Sequence, residues 1–292
     1  MKDKVVVAAV QMDVVLYDMK ANLQYIERSV KEAKEEQNED ARPELASHIE
    51  NADLVVFPEL ANIGYIRERN KEFGCNYIKV SEKVPGEFTD GLCEIAKNYG
   101  VYLISGMTEA HPKIAATLYN SAVLVTPKGE IAGVHRKAHI PGYEKHYFIP
   151  ANTNEVFETE IGTIGIGICY DNQFAELTRS YALKGAEILV MLWNMPNFSN
   201  QPQMLHRLTS TRAFENRFYA VSCNRIGENG GISFFGHSAI ANPLGELISA
   251  AADEETILYG VLERDLLLAE RAQMSIFRDR RPELYGELTK PL

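Results

Sequence analysis

Ten apolar runs of four to six residues, each bounded by polar or turn residues, restrict this chain to a fold built around β-sheets. They are Val5–Val10, Leu54–Phe57, Val101–Ser105, Ser121–Val125, Ile131–His135, Thr163–Ile168, Ile188–Leu192, Tyr219–Cys223, Ser238–Ala241 and Ile257–Leu262. Helical spacing fills several of the gaps, over Asn22–Glu36, Thr89–Tyr99, Phe174–Lys184, Gln203–Phe218 and a short stretch Leu266–Ala272. Other strand pairs read as hairpins, with PKGE at 127–130 and PLGE at 243–246 as turn signals. The mixture predicts an α/β fold, a layered sandwich with sheets inside and helices outside. Gln37–Asn51 is charged and interrupted by Pro43, which predicts an exposed extension of the first helix and its loop. Residues 136–154 carry Pro141 and Pro150 and little periodicity, so they read as a long loop of the kind that often serves function. No repeat or linker divides the 292 residues, and one domain over 1–292 is expected.

Composition removes several classes of function. At 46% hydrophobic the chain can bury a full core. Net charge is −10, and the basic residues form no stripe, so nucleic acid is not an expected partner. The start, MKDKVVVAAVQMD, has too short an apolar run for a signal sequence, and no stretch approaches the roughly 20 apolar residues that span a bilayer. A soluble, cytoplasmic protein without a membrane partner is the expectation. Cys75, Cys93, Cys169 and Cys223 are widely spaced without CxxC pairing, which argues against disulfides and structural zinc. His135 and His139 have metal-ligand spacing only if helical, and Pro141 and the preceding strand oppose a helix there. Neither a metal nor a cofactor is expected.

Three places can carry chemistry, and each follows a predicted strand. In FPEL, residues 57–60, an apolar strand ends by presenting Glu59, where α/β sheets tend to place ligands. In HRKAHIPGYEKH, 135–146, Lys137 lies at the mouth of a strand and Glu144 later in the same loop. In GIGICYDNQF, 165–174, Cys169 stands where a strand stops and a helix is about to begin. Taken singly, these are an exposed loop glutamate, a basic surface loop and a buried structural thiol. Strands of one sheet can bring all three to a common rim, and together they make a working set. Lysine favours the thiolate, glutamate accepts the thiol proton, and the amide after Cys169 faces a developing oxyanion. Cys–His protease signatures are missing, and the glycines of GTIGIGIC lie within the strand, unlike a dinucleotide loop.

With these residues assembled, the chain resembles the carbon–nitrogen hydrolase (nitrilase) superfamily. The resemblance runs through AAVQMD, VVFPEL, HRKAHIPGYEKHYFIP, GIGICYDNQFAEL, RAFENRFYAVSCNRIG, FFGHSAIANPLGEL and FRDRRPELY. It implies a four-layer αββα sandwich and hydrolysis of a non-peptide C–N bond through a Glu-Lys-Cys triad and a cysteine thioester. Glu59 would be the general base, Lys137 the stabiliser of the tetrahedral intermediate, Cys169 the nucleophile, and Glu144 a second glutamate orienting substrate and Lys137. It also implies a homodimer or higher homo-oligomer through the helices near 174–184 and 203–218, with the tail 271–292 at the interface. HIPGYEKHYFIP, SCNRIG and FRDRRPELY look most like N-carbamoyl-amine and N-carbamoyl-amino-acid amidohydrolases, and CYDNQFAEL looks closer to the omega-amidase type. Where many relatives carry arginine after the nucleophile, this chain has Asn172 and Gln173. An amide side chain cannot replace the charged fork that grips an α-carboxylate, which disfavours such substrates. The expected small-molecule site is lined by Tyr65, His146, Tyr170, Asn172, Trp193, Asn194 and Phe198. Nitrile hydrolysis, or a non-catalytic binding member of the same fold, are the alternatives.

Overall fold

The computed structural model describes residues 1–34, 51–65, 71–197 and 203–291. The first half runs β1 (Lys4–Gln11), α1 (Met19–Lys34), β2 (Leu54–Val56), α2 (Lys71–Val80), α3 (Glu87–Tyr99), β3 (Tyr102–Ala110), β4 (Leu118–Val125) and β5 (Ile131–Arg136). The second runs β6 (Val156–Thr159), β7 (Gly162–Ile168), α4 (Ala175–Leu183), β8 (Ile188–Leu192), α5 (Gln203–Asn216) and β9 (Tyr219–Cys223). It continues through β10 (Ile226–Asn229), β11 (Ile232–Phe235), β12 (Ala239–Ala241), β13 (Leu247–Ala250), β14 (Thr256–Glu263) and α6 (Arg264–Gln273).

Two six-stranded sheets form, in the orders β14-β1-β2-β3-β4-β5 and β13-β12-β9-β8-β7-β6, with β10 and β11 paired as a separate hairpin. Both sheets have the same plan, in which three parallel strands (β1-β2-β3 and β7-β8-β9) are flanked by antiparallel ones. Side-chain alternation along each strand then sorts the core into layers. Val5, Val7, Leu54, Val56, Ile104 and Leu124 of one sheet meet Ile164, Ile166, Ile188, Val190 and Val221 of the other. The opposite face of the first sheet packs Val10, Val55 and Leu103 against Ile26 and Val30 of α1 and Phe88 and Leu92 of α3. On the second sheet Leu189, Met191 and Ala220 pack against Leu177 and Tyr181 of α4 and Leu205 and Ala213 of α5. The result is the expected αββα sandwich. A fully buried aliphatic side chain contributes about 1.5–3 kcal/mol, so this double-sided burial explains why the central strands are apolar throughout.

The helices end where the sequence stops them. In α3, Gly100 adopts φ 63° and its N–H closes on the Ala96 carbonyl, a left-handed cap that glycine accepts without strain. Each of the ten apolar runs overlaps a strand, with Phe57, Val101 and Ser238 falling one residue outside. Five elements were not anticipated: α2, β6, β10, β11 and β13. The four strands among them are each four residues long, too short for alternation to stand out, and α2 carries Gly74 in its middle. The predicted extension of the first helix falls mostly on residues 35–50, outside those described. The loop 136–154 is a loop, with one 3-10 turn over Gly142–His146, and it is pinned to the sheet by Ile149 N–H on the Leu118 carbonyl at 3.0 Å. Past α6, Phe277 lies under the guanidinium groups of Arg179 and Arg271 of its own chain, at 5.8 and 5.5 Å. No helix among the described residues is long and apolar enough to cross a membrane.

Candidate active site

The strands β2, β5, β7 and β8 all finish at one end of the sandwich, and each hands a polar residue to the same rim. They come from both sheets, β2 and β5 from one and β7 and β8 from the other, and not from one sheet as expected, because the two sheets stack with these strand ends together. After β2 the chain turns sharply through Pro58 and Glu59 to Leu60, which adopts φ 51°. That turn lies directly on β3. A Cβ on Gly106 would sit 2.5 Å from Glu59 Cα and 2.6 Å from Pro58 O and Leu60 N, all backbone or main-chain-fixed atoms. Glycine here is what lets the carboxylate approach. Gly106→Ala is expected to lower stability by about 2–3 kcal/mol and to reduce turnover by displacing Glu59. Urea unfolding with an activity assay checks this, and wild-type values in both would refute the close-approach argument.

Glu59 is fully buried, and every polar contact on its carboxylate among the described residues is a donor. Lys137 Nζ reaches Oε1 at 2.8 Å, Asn120 Nδ2 reaches Oε1 at 2.7 Å, and the Asn194 N–H reaches Oε2 at 2.7 Å. Lys137, one residue beyond β5, is buried too and places the same ammonium 2.7 Å from Glu144 Oε2. Burial opposes the Lys137 charge, but Glu144, Glu59 and the Cys169 sulfur outweigh it, and its pKa stands well above the usual lysine value. Glu144 is pushed up, by burial first and against the pull of Lys137. Tyr65 donates to Glu144 Oε1 at 3.3 Å and stands edge-on to Phe234 of the β10–β11 hairpin at 6.1 Å.

Cys169 begins a 3-10 turn, Cys169–Gln173, with φ 47°, a conformation that costs an L-residue roughly 1 kcal/mol or more. The strain is held by Asp171. Its Oδ1 accepts the N–H groups of Ala138 and His139 at 3.1 and 2.9 Å, together with His139 Nδ1 at 2.9 Å. Its Oδ2 accepts the Ile168 N–H at 3.2 Å and pairs with His135 Nε2 at 3.1 Å. Burial works against this carboxylate, yet the two histidines hold it well below the usual range. The His139 ring stacks on Phe174 at 3.9 Å, so the segment carrying Lys137 and the segment carrying Cys169 are clasped twice.

Burial and then the Glu59 charge push the Cys169 pKa well above its ordinary value, and Lys137 only partly offsets them.

Several anticipated lining residues stand elsewhere. Trp193 is fully buried in the helix-side core with Leu205 and Met191, because β8 alternation turns it away from the rim and turns Asn194 toward it. Asn194 braces Glu59, with its Nδ2 on the Glu59 carbonyl at 2.8 Å in addition to the backbone bond. Asn172 folds under the turn, its Nδ2 on the Gly167 carbonyl at 3.1 Å. Tyr170 is 39% exposed and stands edge-on to Phe174 at 5.1 Å, and His146 is exposed on the turn that carries Glu144. Phe198 lies outside the described residues. Asn120 and Asp171 were missed. A polar Asn120 on the same face of β4 as Ala122 and Leu124 was the available signal.

Residues 6–271 match the family model described as carbon-nitrogen hydrolase. A protein named nitrilase from Pyrococcus abyssi is 36% identical, over 96% of this chain and 98% of that one. The omega-amidase NIT2 of Homo sapiens is 32% identical, over 83% of this chain and 88% of that one. Among solved structures, a carbon-nitrogen hydrolase from Helicobacter pylori G27 superposes with a TM-score of 0.84 at 28% identity, covering 98% of this chain and 99% of that one.

Proposed function

This chain belongs to the carbon–nitrogen hydrolase family, and from that premise we propose that it cleaves the C–N bond of a small amide or N-carbamoyl compound through a thioester on Cys169. The observation that carries the reading is one buried ammonium, Lys137 Nζ, bonded to both Glu59 and Glu144 and electrostatically coupled to Cys169.

Glu59 takes the thiol proton while Sγ bonds to the substrate carbonyl carbon. Negative charge moves to the carbonyl oxygen, which Lys137 and the Tyr170 N–H stabilise. The C–N bond then breaks as Glu59 returns the proton to the leaving nitrogen. Water follows: Glu59 takes one of its protons, the hydroxide oxygen adds to the thioester, the C–S bond breaks, and the proton returns to sulfur. Every proton removed is given back, so the cycle closes without a cofactor.

Two arginines of the motif segments bear on substrate charge. Arg212 spends its guanidinium on the Asn172 and Gln173 carbonyls, both at 3.0 Å, and on Glu215 at 2.7 Å. Arg225 is fully buried, at 2.5 Å from both Asp13 and Asn229, with its face on the Phe234 ring. Neither is free to grip an α-carboxylate, which supports a neutral or cationic amide or ureido substrate. An ammonia-release panel of simple amides, carbamoylated amines, N-carbamoyl-amino acids and nitriles tests this. Amides or carbamoylated amines should exceed N-carbamoyl-amino acids by roughly tenfold in kcat/KM. The reverse order would overturn the charge argument. Dominant turnover of nitriles would favour the second reading, nitrile hydrolysis, for which the relative named nitrilase speaks.

A further inference from the structure

Lys137 Nζ is not the only nitrogen between the two carboxylates. Asn120, fully buried on β4, donates from Nδ2 to Glu59 Oε1 at 2.7 Å and to Glu144 Oε2 at 3.4 Å. These are the same two oxygens that Lys137 Nζ bonds, so two nitrogens and two oxygens close a ring of alternating donors and acceptors. The Asn120 backbone holds the ring from outside, its carbonyl accepting the Lys137 N–H at 2.8 Å. One residue therefore touches Glu59, Glu144 and Lys137 at once.

The charge balance explains why such a residue is needed. Glu59 faces Lys137 beyond β5, Glu144 from the 3-10 turn and Cys169 from the bend after β7, with Tyr65 and Tyr77 also within electrostatic range. Lys137 brings one positive charge to two buried carboxylates. A neutral N–H shared between them favours their ionised forms without adding a second cation, which would weaken Glu59 as a proton acceptor. The amide also carries a cost that a purely structural residue need not bear, because Asn120 Oδ1 is buried without a partner among the described residues.

We propose that Asn120 is a positioning residue of the catalytic centre, its one side-chain nitrogen spanning Glu59 and Glu144 so that the Glu59 carboxylate is held ready to take the Cys169 proton. The proposal rests on Glu59 as the base in the mechanism above. Iodoacetamide alkylation of Cys169 in the full-length protein, followed by mass spectrometry from about pH 5 to about pH 9, reads it directly. The Sγ–C bond forms, the C–I bond breaks, iodide leaves and the thiol proton passes to Glu59. Wild type should show an acid limb that disappears in Glu59→Gln. In Asn120→Ala the limb should move up by about one pH unit, so that alkylation is roughly tenfold slower at the wild-type midpoint and converges with wild type above it. Asn120→Ser, with a single hydroxyl donor, should fall between, and it decides alone if the alanine variant does not fold. A limb unmoved in these variants, even with a lower overall rate, would overturn the positioning role while leaving Glu59 as base intact. A limb that survives in Glu59→Gln would instead sink the assignment of the base, and the Asn120 proposal with it.

Discussion

Cys169→Ala is expected to remain folded and to lose turnover by roughly 10⁴-fold or more, the scale seen when a covalent nucleophile is removed. The fold should survive because the bend at 169 is set by its neighbours: Asp171 fixes the turn, and β7 is paired on both sides by β6 and β8. A companion variant separates chemistry from strain. At φ 47°, glycine is free of the Cβ clash that alanine suffers, so Cys169→Gly should exceed Cys169→Ala in stability by about 1 kcal/mol, or roughly 2 °C in Tm. Both should be inactive. Turnover near the wild-type rate in either would remove Cys169 from the mechanism, and equal melting temperatures would remove the strain.

Lys137→Met is expected to do damage of two kinds. It deletes the charge proposed to face the oxyanion, for a loss of roughly 10³-fold in kcat. It also leaves Glu59 and Glu144 buried together without their shared cation, a change that destabilises by about 3–5 kcal/mol near neutral pH. The second effect has a definite pH dependence. Glu144 is already raised by burial, and losing Lys137 removes the strongest influence lowering it. A carboxyl whose folded value lies above its unfolded one adds stability below the unfolded value, and loses it as pH rises through the folded value. The deficit of Lys137→Met against wild type should therefore shrink toward about pH 4 and widen above it. Urea titrations of both proteins over that range provide the test. A deficit that stays constant with pH would mean the lysine matters for packing alone.

These two results bear on how the thiol is activated. The sulfur is partly buried beside a carboxylate, and burial followed by the Glu59 charge raises its pKa. Cys223 makes a useful contrast: burial takes its pKa far above the ordinary thiol value too, but its Sγ lies 3.2 Å from the Val10 carbonyl and 3.4 Å from that of Val56, its hydrogen-bond partners among the described residues. The same residue type serves as core filling in one place and faces a carboxylate in the other.

What the sequence determined by itself was where strands stop and which polar residues follow. Glu59, Lys137 and Cys169 were legible because each breaks an apolar run abruptly, and the layered α/β plan followed from the spacing of those runs. Tertiary structure alone decided which way the neighbouring side chains face. In β8, ILVML, both faces are buried, so alternation leaves no mark in composition, and nothing in the string says that Trp193 turns to the helices and Asn194 to the carboxylate. The ring closed by Asn120 and the clasp made by Asp171 are likewise invisible in one dimension. They join β4 to the turn after β2, and the bend after β7 to the segment after β5, and partners this distant in the chain are chosen only when the two sheets pack and a buried charge must find its donors.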